Sequence, residues 1–175
     1  MKMGEAGAFA WLRLDDAKLL AQCREERYKA SGPGGQRRNK VETAVRLRHQ
    51  PTGQVAQAEE GRYLQENRRR ALRRLRERIA LEVRGPFALA SPPITPEFEA
   101  QSRQGTLAVR ADNPAYAVVV ATALDALAAA EGSYAMAAGA LGVSTSQLLR
   151  FLRGHREVWR QVERLRAAGE DDAAG

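Results

Sequence analysis

The sequence predicts an α+β fold in which a small antiparallel sheet packs against one long helix, followed by an all-α, helix-turn-helix-like segment. Three observations carry this prediction. Residues 43–49 alternate apolar and polar side chains, as a strand with one buried face does. Residues 63–83 repeat apolar side chains with a helical period, and residues 134–153 place small and apolar residues around a central glycine.

Charge and proline content divide the chain into four predicted regions. Basic residues outnumber acidic ones by 17 to 8 over residues 24–84, whereas residues 85–175 carry 8 basic and 10 acidic residues. The net charge of +7 therefore arises in residues 24–84, which indicates a polyanionic partner such as nucleic acid for that region alone. The regions are an α+β domain over 11–84, a proline-rich linker over 85–112, a helical domain over 113–168 and a disordered tail over 169–175.

The elements before the predicted hairpin are short. Asp15 or Asp16 can cap a helix over residues 17–23. Residues 25–30 have no clear period, and their place before a glycine-rich segment favours a strand.

A hairpin and a basic helix follow. The turn-forming residues 51–53 come directly after the alternating strand, so residues 54–58 can return as its antiparallel neighbour. The apolar stripe of the helix over 63–83 would pack on one face of this sheet, and arginines occupy most of its remaining surface. This arginine excess favours contact with a nucleic-acid backbone over a plain solvated face.

The C-terminal region is predicted to be helical. Pro114 opens a helix over residues 115–130, because proline is favoured at a first helical position. Ser144 and Gln147 can form a capping box at the second helix of the pair within 134–153.

Two interpretations of this helix pair are possible. A structural role, or contact with a larger assembly, is favoured over DNA binding, because this half of the chain has a net negative charge. The alternative is a DNA-binding regulator in which Thr145, Gln147 and Arg150 enter a groove.

The sparse cysteine and histidine content excludes several chemistries. Cys23 alone cannot form an intramolecular disulfide, and with His49 and His155 as the two histidines we expect no metal site and no cofactor. No apolar run is long enough to span a membrane, and no signal pattern opens the chain, so we expect a cytoplasmic protein.

The segment from Ser31 to Lys40 is the strongest functional signal. It has three glycines and one proline in four positions, a composition that requires a shaped loop, and basic residues follow directly. Within it, Gly34-Gly35-Gln36 resembles the Gly-Gly-Gln motif of the class I peptide-chain release factors. The matching flanks, spread between about Cys23 and Arg84, include Ser31-Gly32-Pro33, Asn39-Lys40, Thr43-Ala44-Val45-Arg46-Leu47, His49 and Pro51-Thr52-Gly53.

This resemblance implies an enzyme that hydrolyses the ester between a nascent peptide and tRNA in the peptidyl-transferase centre of the ribosome. Gly34, Gly35 and Gln36 would be catalytic, with the backbone N–H of Gln36 stabilising the developing oxygen charge and its side chain positioning water. The partners would be the ribosome, through its rRNA, and peptidyl-tRNA. The helix pair within 134–153 would then have a structural or ribosome-contacting role. The expected RNA-binding residues are Ser31, Arg37, Arg38, Asn39, Lys40, Arg62, Asn67, Arg68, Arg69 and Arg73.

The sequence also departs from the family pattern. Arg37 and Arg38 replace a small or polar residue and a Val or Ile, and the family's Arg-Ser-Gln-x-x-Asn run becomes Arg62-Tyr63-Leu64-Gln65-Glu66-Asn67. About 30 residues precede the motif, too few for a domain that reads stop codons. We therefore expect codon-independent termination or rescue of stalled ribosomes, with a non-catalytic ribosome- or RNA-binding protein as the alternative.

Overall fold

A computed structural model of the chain describes the backbone of residues 7–29 and 42–173, and the side chains of this range up to residue 168. It confirms the predicted α+β class. The strands are β1 (Cys23–Tyr28), β2 (Ala44–His49) and β3 (Val55–Ala58). The helices are α1 (Phe9–Leu12), α2 (Asp16–Ala21), α3 (Leu64–Glu82), α4 (Pro96–Gln101), α5 (Tyr116–Ala129), α6 (Tyr134–Leu141), α7 (Thr145–Arg153) and α8 (Arg156–Ala173).

The chain forms two compact units. The sheet unit consists of Arg13–Ile79, and the helical unit consists of the chain up to Leu12 and from Ala80 onward. Each unit has a buried core of its own.

The sheet of the first unit is antiparallel, with the strand order β1-β2-β3. Val45, Leu47 and His49 are buried and alternate with exposed Arg46 and Arg48, which confirms the predicted period of two. The register pairs Cys23 with His49, so β1 begins at Cys23 and α2 ends at Ala21, both earlier than predicted. Six residues of β1, beginning with Cys23, pair with β2 and therefore have an extended backbone. They cannot also belong to α2, which explains the earlier boundary.

α3 is the long helix predicted to cover the sheet. Leu72, Leu75 and Ile79 form its buried stripe, and the side chains of its first turns bond to all three strands or their ends. The exposed residues of β2, Arg46 and Arg48, lie on the opposite face of the sheet.

α5 is the centre of the helical unit. Every residue from Tyr116 to Leu127 is buried, because α1, α4, α6 and α8 all pack against this helix. Within the segment predicted as a linker, α4 is capped by the Thr95 hydroxyl and buries Phe98 completely.

The predicted pair of C-terminal helices is present as α6 and α7. Gly142 ends α6 with φ of 67°, a left-handed conformation in which glycine avoids the strain of a Cβ. The Ser144 hydroxyl caps α7 by accepting from the backbone N–H of Gln147. The reciprocal half of a capping box is absent among the described residues, because the Ser144 N–H donates to the carbonyl of Gly105. None of the described helices is both long and apolar enough to cross a membrane.

Candidate functional site

The predicted catalytic segment lies outside the described residues. This holds for Ser31, Gly34, Gly35, Gln36, Arg37, Arg38, Asn39 and Lys40. The described chain fixes where the segment is attached, because Tyr28 at the end of β1 is paired with Ala44 at the start of β2. The segment therefore connects two adjacent strands at one end of the sheet.

Asn67 occupies a fully buried position near this end of the sheet. Its Nδ2 donates to the carbonyls of Thr43 at 2.7 Å and Gly61 at 3.0 Å, and its Oδ1 accepts from the N–H of Gly61 at 2.8 Å. A Cβ at Gly61 would lie 2.7 Å from this same oxygen, so glycine is needed for the close approach. An RNA contact by Asn67 stays a prediction, and the described contacts use its amide to hold the chain that enters β2.

Arg68 is bound to β1 rather than being free in solvent. Its Nε and Nη2 donate to the two carboxylate oxygens of Glu25, both at 2.8 Å, and the two side chains are 24% and 22% exposed. The hydrogen bond from Arg68 lowers the pKa of Glu25. Such a two-point pair fixes the angle between the side chains as well as their distance.

Three further predicted RNA-binding residues, Arg62, Arg69 and Arg73, are exposed. Arg62 and Arg69 form no ion pair with any described residue. Arg73 lies 3.8 Å from Glu77 in a largely exposed pair. These three guanidinium groups are therefore accessible to a phosphate backbone.

Other arginines of α3 are neutralised by carboxylates. Arg70 pairs with Glu66 one turn earlier, a spacing that the sequence already shows. Arg74 pairs with Glu60, and its hydrogen bond lowers the pKa of Glu60 to about 2. The cationic surface of α3 is thus smaller than the arginine count indicates.

His49 is one of the residues that resemble the release-factor family, and its side chain lies in the buried core of the sheet unit. It is completely buried, with Nδ1 2.7 Å from the Thr52 hydroxyl and Nε2 3.0 Å from Oε1 of Gln22. An amide oxygen can only accept, so Nε2 donates and Nδ1 accepts from the hydroxyl in a neutral ring. Burial lowers the pKa of His49, which favours this neutral form.

Within the described part of the chain, no group of three or more His, Cys, Asp or Glu residues is arranged to hold a metal ion. Cys23 donates from Sγ to the Leu19 carbonyl at 3.2 Å, and burial raises the pKa of its thiol to about 11. A thiol with so high a pKa is a poor nucleophile at neutral pH.

Comparison with known proteins gives a family match in the part of the chain that contains Gly34-Gly35-Gln36. Residues 19–88 match the family model of the RF-1 domain. Peptide chain release factor 2 of an Acidovorax species is 42% identical over 78 residues, which cover 42% of this chain and 21% of that protein. Peptide chain release factor 1 of Leptothrix cholodnii is 46% identical over 74 residues, covering 40% and 21%. The chain thus spans about a fifth of the length of these relatives.

Proposed function

We propose that this chain, whose residues 19–88 match the RF-1 domain of peptide chain release factors, belongs to the class I release factor family and hydrolyses peptidyl-tRNA on the ribosome. The observation that carries the proposal is that the matched residues contain Gly34-Gly35-Gln36 together with the strands that flank it. The proposed setting is the peptidyl-transferase centre of cytoplasmic ribosomes, where rRNA and tRNA are the polyanionic partners.

The reaction breaks one ester bond. Water attacks the carbonyl carbon that joins the peptide to the 3′ ribose oxygen, the C–O bond to that oxygen breaks, and the ribose oxygen takes a proton. The backbone N–H of Gln36 would stabilise the charge that develops on oxygen, and its amide side chain would orient the water. Gly34 and Gly35 would permit the close backbone approach. The protein supplies no covalent nucleophile in this scheme, since the ribosome aligns the substrate.

The described residues support this chemistry by fixing the strands on both sides of the segment. Arg68 binds Glu25 on β1, and its neighbour Asn67 binds Thr43 at the entrance to β2. Two consecutive residues of α3 thus hold both strands from the same helical turn. Firm support of the flanking strands matters to a catalytic group, because misplacement by about 1 Å can cost about a hundredfold in rate.

The exposed arginines would supply RNA affinity. Arg62, Arg69 and Arg73 can each bind backbone phosphates without reading sequence. The net charge of the matched region supports this role. Codon-independent rescue of stalled ribosomes is the form of the reaction that we propose, because the matched residues contain Gly34-Gly35-Gln36, to which we assign hydrolysis and no codon contact.

Single-turnover peptide release tests the proposal directly. Ribosomes carrying labelled peptidyl-tRNA and an empty A site are mixed with wild type, Gly35→Ala or Gln36→Ala at equal occupancy. We expect release by the wild type, collapse of release in Gly35→Ala and a smaller drop in Gln36→Ala. Gln65→Ala is the matched control, because Gln65 is an exposed glutamine outside the motif.

Two further outcomes separate the alternatives. Equal rates with an empty A site, a sense codon or a stop codon would support codon independence, and release confined to stop codons would contradict it. Binding to saturation without release by the wild type would favour a non-catalytic ribosome-binding protein.

A further inference from the structure

The face of the sheet opposite α3 carries three arginines that no motif singled out for binding. Arg24 on β1 and Arg46 and Arg48 on β2 are all exposed. The register places Arg24 directly opposite Arg48, and Glu26 directly opposite Arg46. Residues that face each other across an antiparallel pair project to the same side, so all four side chains share one surface.

Arg24 and Arg48 form a cross-strand pair of like charges. Side chains at such positions have Cβ atoms about 5 Å apart, and two cations there destabilise the sheet. Arg48 has no ion-pair partner in the described part of the chain, and Arg24 has Glu26 alone, at 3.6 Å. The same carboxylate lies 3.8 Å from Arg46, so one acid is shared by two of the three arginines. A second carboxylate, Glu59, accepts from the Tyr28 hydroxyl at 3.3 Å at the edge of this surface. Three arginines thus face two carboxylates, and the surface keeps a net positive charge.

Arg46 is held in place beside this pair. Its guanidinium lies 5.5 Å from the ring centroid of Tyr28, and its Nη2 is 3.3 Å from Oε1 of Gln57 on β3. A side chain supported on two sides loses little conformational freedom when a ligand binds. The neighbouring Gln57 is also exposed, so the surface is polar and open.

We propose that Arg24 and Arg48 jointly bind a phosphate of an RNA backbone, with Arg46 binding the next phosphate along the strand. The like-charge pair is explained if an anion lies between the two guanidinium groups, because each can donate two parallel hydrogen bonds to phosphate oxygens. A polar, positively charged surface fits a phosphodiester chain better than a protein partner, whose interface would bring apolar anchors. This inference rests on the proposed function, and it adds to the sheet unit a second RNA-binding face, separate from α3.

The test measures RNA affinity and stability together. The probe is a fluorescein-labelled single-stranded RNA of mixed sequence and about 20 nucleotides, long enough for several backbone contacts. Its dissociation constant for the full chain is determined by anisotropy from about 50 to 300 mM KCl. The variant is Arg24→Gln/Arg48→Gln. The matched control is Arg103→Gln/Arg156→Gln, which removes the same charge from two exposed arginines of the helical unit.

We expect the sheet variant to lose about tenfold or more in affinity at low salt relative to the control, with a salt dependence weaker by about two in log–log slope. Its thermal midpoint should equal or exceed that of the wild type, because the repulsion between Arg24 and Arg48 is gone. Arg24→Lys/Arg48→Lys should keep the salt slope. A loss no greater than that of the control would overturn the proposal, as would a loss accompanied by a lower thermal midpoint.

This measurement is independent of catalysis. The proposed function fails if the wild type releases no peptide from stalled ribosomes. The sheet proposal fails on the comparison of RNA affinities and thermal midpoints, which needs no ribosome and no hydrolysis.

Discussion

Arg84 donates from Nη1 to Oδ1 of Asp125 at 2.9 Å in the interior of the helical unit. Asp125 is 1% exposed, and the N–H of Gly85 is 3.2 Å from the same oxygen. Arg84 also donates to the carbonyl of Ala80. Burial raises the pKa of Asp125 to about 6, whereas the positive charge of Arg84 acts in the opposite direction. The pair thus joins the segment that follows α3 to the central helix α5 at an appreciable desolvation cost.

Replacing one partner of the Arg84–Asp125 pair should lower the free energy of unfolding far more than replacing both partners. We expect Asp125→Asn to lower the free energy of unfolding at pH 7 by about 3 kcal/mol, because it leaves the Arg84 charge buried without a counter-ion. Arg84→Met/Asp125→Leu should recover most of that loss. Urea unfolding followed by circular dichroism measures both, and equal losses in the single and double variants would contradict the expectation.

Asn67→Ala should destabilise the sheet unit. The substitution leaves the carbonyls of Thr43 and Gly61 and one N–H without their partner, at an expected cost of about 3 kcal/mol. The exposed neighbour Gln65→Ala serves as control and should change stability by less than about 0.5 kcal/mol. Thermal unfolding of the two variants compares them, and similar midpoints would show that the amide bonds contribute little.

We expect Arg68 to contribute to stability and Arg69 to contribute to ribosome binding. Arg68→Gln should lose about 1 kcal/mol of stability in the wild-type background and much less with Glu25→Gln, because the pair is already broken there. Arg69→Gln should leave stability unchanged but weaken ribosome binding, with a salt slope smaller by about one. The opposite distribution of effects would show that the contact surface on α3 is misassigned.

The buried ring of His49 should make stability depend on pH. Its pKa in the folded protein is below the value of about 6.5 for an exposed histidine, so the unfolded chain binds the proton more tightly. The stabilising contribution is therefore complete above about pH 6.5 and is lost as the pH falls through the folded pKa. His49→Gln should show a flatter stability curve between about pH 7 and 5 than the wild type. Parallel curves would mean that the pKa of His49 is the same in the folded and in the unfolded chain.

The sequence predicts the hairpin and α3 well because both have a clear local period. The boundary of β1 is harder to predict, since Glu25 finds its partner in Arg68, 43 residues further along. Charge counting likewise overestimates the free arginines of α3, because Arg76 finds its partner in Asp16, 60 residues away. α4 has no sustained apolar period to reveal it, and its residues fall in the predicted linker. Non-local pairs and buried amides are invisible to pattern analysis.

The state of Cys23 has a practical consequence for spectroscopy. It is the only cysteine of the chain, and its thiol has a pKa of about 11. Near neutral pH its thiolate fraction is about two orders of magnitude below that of an exposed cysteine. A second cysteine, introduced by Arg103→Cys or Arg48→Cys, should therefore react selectively with maleimide dyes while the native thiol remains in place. Fluorescent reporters can then be attached to either unit without first removing Cys23.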